Sequence, residues 1–249
     1  MSPMPTPLLA IDAGNSRIKW GIHDGRGWGA RGGVPTAGAG TLGQAWREAP
    51  TARAAIASNV AGPGVEKILR EACADLSIEL RMLVSPPRAL GVVNGYREPA
   101  QLGPDRWAAL VAAQHAEPGH KLVVNVGTAL TIDALRADGH FLGGVIVPGP
   151  ALMRRSLDSG TAGLRLTEGE FDELPKGTAD AITTGALRAA VGAILGMRDA
   201  MARQGAQPRR AVMSGGAAGE VAPRLPMDCV ILENLVLDGL VRIAREGVD

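Results

Sequence analysis

The 249-residue chain is 46% hydrophobic and carries 26 basic against 25 acidic residues. It can build one large or two small cores, but its balanced charge offers no footprint for nucleic acid. Its two cysteines stand apart, which argues against a disulfide framework or a zinc site. The opening MSPMPTP is too polar for a secretory signal, and no uncharged apolar run reaches the ~18 residues of a membrane span. We therefore expect a cytoplasmic protein without a membrane segment.

Strands and helices alternate in the first half of the chain. Residues 8–12 predict a buried strand, and the alternating residues 17–23 predict its hairpin partner across Gly14-Asn15. The other predicted elements of this half are an edge strand within 25–40, strands at 53–58 and 80–84, helices at 64–75 and 104–115, and loops over 85–103. Glu117-Pro118-Gly119 then breaks the chain.

The second half begins with the same pattern. Asn125-Val126-Gly127-Thr128 resembles Asp12-Ala13-Gly14-Asn15 in kind, with an apolar strand before each motif and an alternating segment after it. The remaining predictions are a strand at 139–147, a helix at 150–157, a loop at 158–178, a helix at 179–204, a strand from Arg210, a strand at 228–231 and a helix at 234–246. We therefore predict two duplicated α/β domains, residues 1–117 and 118–249.

The two glycine turns suggest a phosphate site. A tight glycine turn exposes backbone N–H groups that can cradle phosphate oxygens, and two such turns would grip phosphates from both sides of a cleft. A carboxylate beside the cradle would repel phosphate unless a metal ion lay between them, so Asp12 is a candidate Mg²⁺ ligand. The alternative is an ordinary hairpin turn in which Asp12 hydrogen-bonds its own backbone.

A third glycine site follows the strand that starts at Arg210. The pair Gly215-Gly216 would permit close approach of a flat ligand such as adenine. The alternative is an ordinary strand-to-helix turn. Neither a Walker A motif nor a convincing G-x-G-x-x-G pattern occurs in the chain.

A series of short motifs follows the chain in a fixed order: Asp12-Ala13-Gly14-Asn15-Ser16, Asn94-Gly95-Tyr96, Gly103-Pro104-Asp105-Arg106-Trp107, Asn125-Val126-Gly127-Thr128-Ala129 with Thr131 and Asp133, Gly143-Gly144 with Pro148-Gly149, Gly177-Thr178 and Ser214-Gly215-Gly216. In this order, the motifs resemble those of the type III pantothenate kinases, a family related to Bvg accessory factors within the actin/Hsp70/sugar-kinase superfamily.

The resemblance implies a fold and a reaction. The fold would be two ribonuclease H-like (actin-like ATPase) domains with mixed sheets flanked by helices and a cleft between them. The reaction would move the γ-phosphoryl of ATP, with Mg²⁺, to the 4′-hydroxyl of pantothenate, the first step towards coenzyme A. Family enzymes are homodimers with the substrate pocket near the dimer interface.

The resemblance also implies a role for each matched position. Asp105 would orient the hydroxyl and accept its proton. Contacts to pantothenate would come from Tyr96, Gly103, Pro104, Asp105, Arg106 and Thr178. Contacts to ATP would come from Asp12, Ala13, Gly14, Asn15, Ser16, Arg17, Ile18, Lys19, Thr128, Gly215 and Gly216. Metal ligands would be Asp12 and, for a monovalent cation (K⁺ or NH₄⁺), Asn125.

Two positions need separate comment. Pro104 suits the first position of a helix, which puts Asp105 in the first turn. There it could simply complement the helix dipole, and the dipole should hold its pKa down. Asn125 stands where the family has an Asp that binds a monovalent cation, so we expect K⁺ dependence to be weak or absent.

Two rival functions remain open on the sequence alone. One is a non-enzymatic regulatory or accessory protein whose glycine turns sense a nucleotide. The other is a kinase or phosphatase of the same superfamily that acts on a sugar or a polyphosphate. Pantothenate is preferred to these only through the resemblance.

Overall fold

The computed structural model describes residues 6–49, 52–161 and 168–247. The first sheet contains β1 (Leu8–Ala13), β2 (Arg17–His23), β3 (Trp28–Pro35), β4 (Ala54–Asn59) and β5 (Glu79–Met82), in the order β3-β2-β1-β4-β5. The other elements of the first half of the chain are α1 (Leu42–Arg47), α2 (Pro63–Asp75), the short hairpin β6 (Arg88–Ala89) and β7 (Val92–Val93), and α3 (Pro104–Ala116).

The second sheet has the same design as the first. Its strands are β8 (Lys121–Val126), β9 (Ala129–Leu135), β10 (Phe141–Pro148), β11 (Arg210–Ser214) and β12 (Asp228–Ile231), in the order β10-β9-β8-β11-β12. The helices are α4 (Pro150–Gly160), α5 (Thr178–Arg203), α6 (Ala218–Val221) and α7 (Leu235–Glu246). In both sheets the central strand is antiparallel to the next strand in sequence and parallel to the one after the helical crossover. The predicted duplication of a mixed-sheet α/β fold is confirmed.

By packing, the chain divides into two compact units, residues 1–115 with 234–249 and residues 116–233. Helix α7 therefore lies with the first unit, although it belongs to the predicted domain 118–249. The physical reason is its apolar face, which packs against β1 and β4, and the Gly239 backbone, which lies so close to Ala108 of α3 that no Cβ would fit. The Trp28 indole N–H also donates to Asp238 Oδ1 at 2.8 Å.

Each unit has its own aliphatic core. In the first, Leu9, Ile11 and Ile18 pack with Leu42 and Leu69 between the sheet and its helices. The second core uses the corresponding strands β8 and β9 against α5 and α6. Each fully buried Leu or Ile contributes about 1.5–3 kcal/mol to the free energy of unfolding.

The structure differs from the predicted elements in the loop over 85–103 and at the end of α4. The predicted loop over 85–103 contains β6, β7 and a single turn of 3₁₀ helix at Pro99–Gln101. Helix α4 continues three residues beyond its predicted end at 157, and residues 162–167 of the predicted loop lie outside the described residues. Within the described part of the chain, no helix combines the length and apolarity that crossing a bilayer requires.

Candidate functional site

Asp12 lies at the end of the central strand β1, between two polar side chains of the neighbouring strands. The register pairs it with Lys19 on β2 and with Ser58 on β4, so the three side chains share one end of the sheet. Ser58 Oγ donates to Asp12 Oδ1 at 2.8 Å. Asp12 therefore does not cap its own turn, and the ordinary-hairpin alternative does not explain it.

The environment of Asp12 opposes its ionisation. The pKa of Asp12 is raised from an ordinary value of 3.8 to about 6, mainly by burial and to a smaller extent by the nearby charge of Asp105, although the Ser58 hydrogen bond and Lys19 act in the opposite direction. Asp12 and Asp105 are thus electrostatic neighbours in one unit. A divalent cation at this carboxylate would remove both unfavourable contributions.

The first glycine turn is held by residues outside it. Gly14 N–H donates to the Arg17 carbonyl at 3.1 Å, which closes the hairpin. Thr36 Oγ1 donates to the Gly14 carbonyl at 2.7 Å, and Thr36 N–H donates to the Ser16 carbonyl at 3.1 Å. Within the described residues the Asn15 N–H has no acceptor, so this exposed donor is available to a phosphate oxygen.

Asp105 occupies the first turn of α3, as its position after Pro104 predicts. Its Oδ1 accepts a 2.8 Å hydrogen bond from the Arg106 N–H. The expectation that the helix end holds its pKa down is wrong: burial raises the pKa of Asp105, and this effect outweighs the Arg106 N–H and the Arg106 charge, which lower it. A raised pKa makes the carboxylate a better proton acceptor near neutral pH.

Gly103 provides space for the Asp105 carboxylate. A Cβ on residue 103 would lie 2.6 Å from Asp105 Oδ1, too close for two non-bonded atoms. We expect Gly103→Ala to displace the carboxylate and to lower kcat about 10- to 100-fold, since a shift of that size misaligns a reacting group. Steady-state kinetics would measure the effect. Gly64→Ala is the matched control, because nothing lies within 4 Å of its added methyl group, and equal kinetics for the two variants would contradict the prediction.

Arg106 is buried at 5% exposure and is held by the preceding loop. Its Nη1 donates to the Tyr96 hydroxyl at 2.8 Å, and its guanidinium lies 5.6 Å from the centre of the Tyr96 ring. Asn94 shapes that loop: its side-chain amide donates to the Pro86 and Pro99 carbonyls, and its Oδ1 accepts from the Tyr96 N–H. A fixed guanidinium of this kind suits a carboxylate ligand.

The second unit repeats the polar strand end with different chemistry. Asn125 on β8 is paired with Thr131 on β9 and Ser214 on β11, as Asp12 is paired with Lys19 and Ser58. Gly215 has a positive φ of 97°, and a Cβ there would lie 2.7 Å from Asn125 Oδ1. Packing against β8 therefore requires Gly215, whereas exposed Gly216 has open space around it. The helix that follows, α6, has only four residues.

Thr178 is the first residue of α5 and is exposed. It lines a cavity of about 500 Å³ between α4 and α5, together with Met153, Leu157 and Ile182. The turn at Gly127-Thr128 lies against Gly149, whose N–H donates to the Thr128 carbonyl at 2.8 Å. No Cβ would fit at Gly149, which explains the glycine before α4.

The structure thus groups the predicted site residues by unit. The first unit brings together Asp12, Lys19, Tyr96, Gly103, Asp105 and Arg106, along with the turn at residues 13–18. The second unit contains Asn125, Thr128, Thr178, Gly215 and Gly216. Ser58 and Thr36 were not predicted as site residues. Ser58 could have been found because polar residues at the carboxyl ends of adjacent parallel strands meet at one edge, whereas Thr36 carries no local signal.

Among the described residues, no three or more His, Cys, Asp or Glu side chains form a metal-binding group. Mg²⁺ nevertheless needs only one or two carboxylates when phosphates and water complete its shell. Asp12 Oδ2 accepts no hydrogen bond from the described residues, and the desolvated carboxylate beside Asp105 would gain from a cation. The donor set therefore fits a phosphate-bridged Mg²⁺.

Comparison with solved structures supports the fold. A Campylobacter jejuni protein assigned to the Baf family of transcriptional activators superposes with a TM-score of 0.60 at 21% identity, covering 96% of this chain and 98% of that one. A Sinorhizobium meliloti protein assigned as a 2-dehydro-3-deoxygalactonokinase gives a TM-score of 0.63 at 18% identity, again covering 96% and 98%. At these identities the similarity extends to the fold alone.

Sequence comparison is more specific. The type III pantothenate kinase of Nitrosospira multiformis is 43% identical over 246 residues, which cover 99% of this chain and 93% of that protein. The type III pantothenate kinase of Aromatoleum aromaticum is 41% identical over 241 residues, covering 96% and 98%. The family model for type III pantothenate kinase matches residues 8–200, a span that contains Asp12, Asp105 and Asn125. The chain belongs to the type III pantothenate kinase family.

Proposed function

We propose that this protein phosphorylates pantothenate at the 4′-hydroxyl with ATP, which yields 4′-phosphopantothenate and ADP and begins coenzyme A synthesis. The observation that carries the proposal is the near full-length similarity to the type III pantothenate kinase of Nitrosospira multiformis. The half-buried carboxylate pair Asp12 and Asp105, beside a turn with an open N–H donor, supplies the chemistry that this reaction needs.

Asp105 accepts the proton of the attacking hydroxyl. Phosphoryl transfer passes through a loose transition state in which the proton leaves late, so Asp105 acts mainly by orienting the oxygen. Its raised pKa improves it as an acceptor. Arg106 binds the pantothenate carboxylate, supported by Tyr96, and Gly103 leaves room for Asp105. Pro104 starts the helix, and Thr178 is the further substrate contact that the family resemblance implies.

The ATP contacts in this proposal are those that the family resemblance implies. The contacts come from Asp12 to Lys19, Thr128, Gly215 and Gly216. Asp12 would hold Mg²⁺, which would neutralise phosphate charge. The Asn15 N–H offers a hydrogen bond to a phosphate oxygen, and Lys19 adds a positive charge on the neighbouring strand.

Asn125 sets the monovalent-cation response. Its amide oxygen can coordinate K⁺ or NH₄⁺ but brings no charge, so the wild-type enzyme should respond weakly to K⁺. Asn125→Asp should add a several-fold activation by K⁺ over Na⁺. Turnover measured against K⁺, with Na⁺ holding the ionic strength constant, tests this. Strong K⁺ activation of the wild type, or none in the variant, would contradict the role of residue 125.

We propose a homodimer, which the exposed apolar side chains of the second unit support. Ile146 is 61% exposed on the edge strand β10, and Leu157 is 38% exposed on α4 next to the cavity that Thr178 lines. Apolar groups of this kind are stabilised by a partner surface, and we infer a second copy of the chain. We also propose that the enzyme works in the cytoplasm.

The decisive assay follows ADP release by the purified protein with Mg²⁺-ATP, with and without pantothenate. We expect release to depend on pantothenate, and mass spectrometry should identify one added phosphate on it. Nucleotide binding without pantothenate-dependent release would favour the non-enzymatic sensor. Release that responds to a hexose or polyphosphate instead would favour the other kinases and phosphatases of the superfamily.

A further inference from the structure

The hydrogen bond between Ser58 and Asp12 joins two adjacent parallel strands of the first sheet. Ser58 is fully buried, and its Oγ lies 2.8 Å from Asp12 Oδ1. A hydroxyl carries one proton, so this donor is committed to the carboxylate. Because the two residues are register partners on adjacent parallel strands, the backbone of the sheet sets the distance between them.

The internal duplication provides a comparison for this contact. Ser214 holds the same register position beside Asn125 in the second sheet, yet its Oγ donates to the Glu233 carbonyl at 3.4 Å. The shared fold therefore does not by itself direct the serine to its strand neighbour. The serine–carboxylate bond belongs to the unit that also contains Asp105.

The contact has a geometric consequence for Asp12. The terminal torsion of an aspartate is broad and roughly two-fold, so a carboxylate with no partner rotates easily. With Oδ1 held by Ser58, the plane of the carboxylate is fixed, and Oδ2 is left without a hydrogen bond from the described residues. One oxygen anchors the group, and the other is free to act as a ligand.

We propose that Ser58 is a positioning residue that fixes the Asp12 carboxylate, so that Oδ2 is presented to the magnesium–nucleotide complex. The inference rests on the proposed kinase function and deepens it, because it assigns the geometry of the metal ligand to a residue that touches neither substrate. Outer partners of metal ligands typically change metal affinity or activity about 10- to 100-fold when removed.

The test is calorimetric binding of ADP, with and without Mg²⁺, to wild type and Ser58→Ala. We expect the increase in ADP affinity on adding Mg²⁺ to be about tenfold smaller in Ser58→Ala than in wild type. The affinity for ADP without Mg²⁺ should be unchanged. Its kcat should fall by a similar factor while KM for pantothenate stays constant. A general loss of packing would instead weaken ADP binding in both conditions.

Thr183→Val is the matched control, because Thr183 is a buried hydroxyl whose Oγ1 has no hydrogen-bond partner among the residues that the structure describes. Its Mg²⁺ response should equal that of wild type. Equal Mg²⁺ responses in Ser58→Ala and wild type would overturn the positioning role, whether or not the protein is active. If the wild type is inactive but its Mg²⁺-dependent ADP binding still requires Ser58, the result counts against pantothenate phosphorylation and not against the positioning role of Ser58.

Discussion

Replacing Asp105 with asparagine should reduce kcat by about 10²- to 10⁴-fold, the range over which a positioned base contributes to catalysis. The amide keeps the size of the side chain and its carbonyl oxygen, so the hydrogen bond from the Arg106 N–H can persist. What is lost is the group that we propose accepts the proton and orients the hydroxyl. ADP affinity should stay within about threefold of wild type, because the substitution removes no contact that binds ADP.

The folded state of this variant provides an internal check. Since burial raises the pKa of Asp105, the ionised carboxylate is unfavourable in the folded protein at neutral pH, and the neutral amide should make Asp105→Asn more stable than wild type. Thermal unfolding would show this. Asp75→Asn, at an exposed position at the end of α2, is the control and should retain full turnover. Turnover above a tenth of wild type in Asp105→Asn would remove Asp105 from the mechanism.

Asp12→Asn should abolish most Mg²⁺-dependent turnover and, at the same time, stabilise the protein without ligands. The second unit supports the substitution, because Asn125 occupies the equivalent register position beside a serine. The asparagine Oδ1 can still accept the Ser58 proton. Removing the buried charge should raise the free energy of unfolding by about 2–3 kcal/mol at pH 7.5, as the raised pKa of Asp12 implies.

The size of the stability difference between Asp12→Asn and wild type depends on pH in a defined window. Between the unfolded pKa of about 4 and the folded pKa of about 6, the native wild-type protein holds a proton that the unfolded chain has lost. Wild-type stability therefore falls as pH rises through this window. The advantage of Asp12→Asn should be near zero at pH 4 and complete above pH 6. Urea unfolding at both pH values measures it.

Asp24→Asn is the opposite control. The N–H groups of Arg26 and Gly27 donate to Asp24 and lower its pKa, so its carboxylate contributes stability above the unfolded pKa that is lost as pH falls. This variant should gain no stability at pH 7.5. A pH-independent difference between Asp12→Asn and wild type would show that the Asp12 carboxylate is not desolvated in the apo protein.

Most of the fold could be predicted from local patterns. Strand β2 and strand β12 have the predicted bounds, because alternating or short apolar runs between breakers define a strand well. The duplication was visible because both hairpins place a polar residue, a small residue and a glycine after a buried strand. The position of α7 was not predictable, since nothing in its amphipathic pattern specifies which sheet it covers.

The sequence motifs predicted which residues belong to the candidate site, but they did not predict how burial shifts the pKa values of those residues. The position of Asp105 in the first turn of α3 follows from Pro104, but its raised pKa depends on burial, which is set by tertiary packing around α3. Ser58 was missed for a similar reason: its importance arises only when β4 pairs with β1 in the observed register. Local sequence indicates which side chains can react, and packing decides how readily each loses or gains a proton.

The packing of α7 in the first unit affects the order in which the two units fold during synthesis. The second unit is one continuous segment, residues 116–233, whereas the first needs Leu240 and Ile243 from the last helix to fill its core. During synthesis, the later segment can therefore finish folding before the earlier one. We expect a chain that ends at residue 233 to protect residues 116–233 from protease while residues 1–115 are digested, and digestion of both at equal rates would contradict this order.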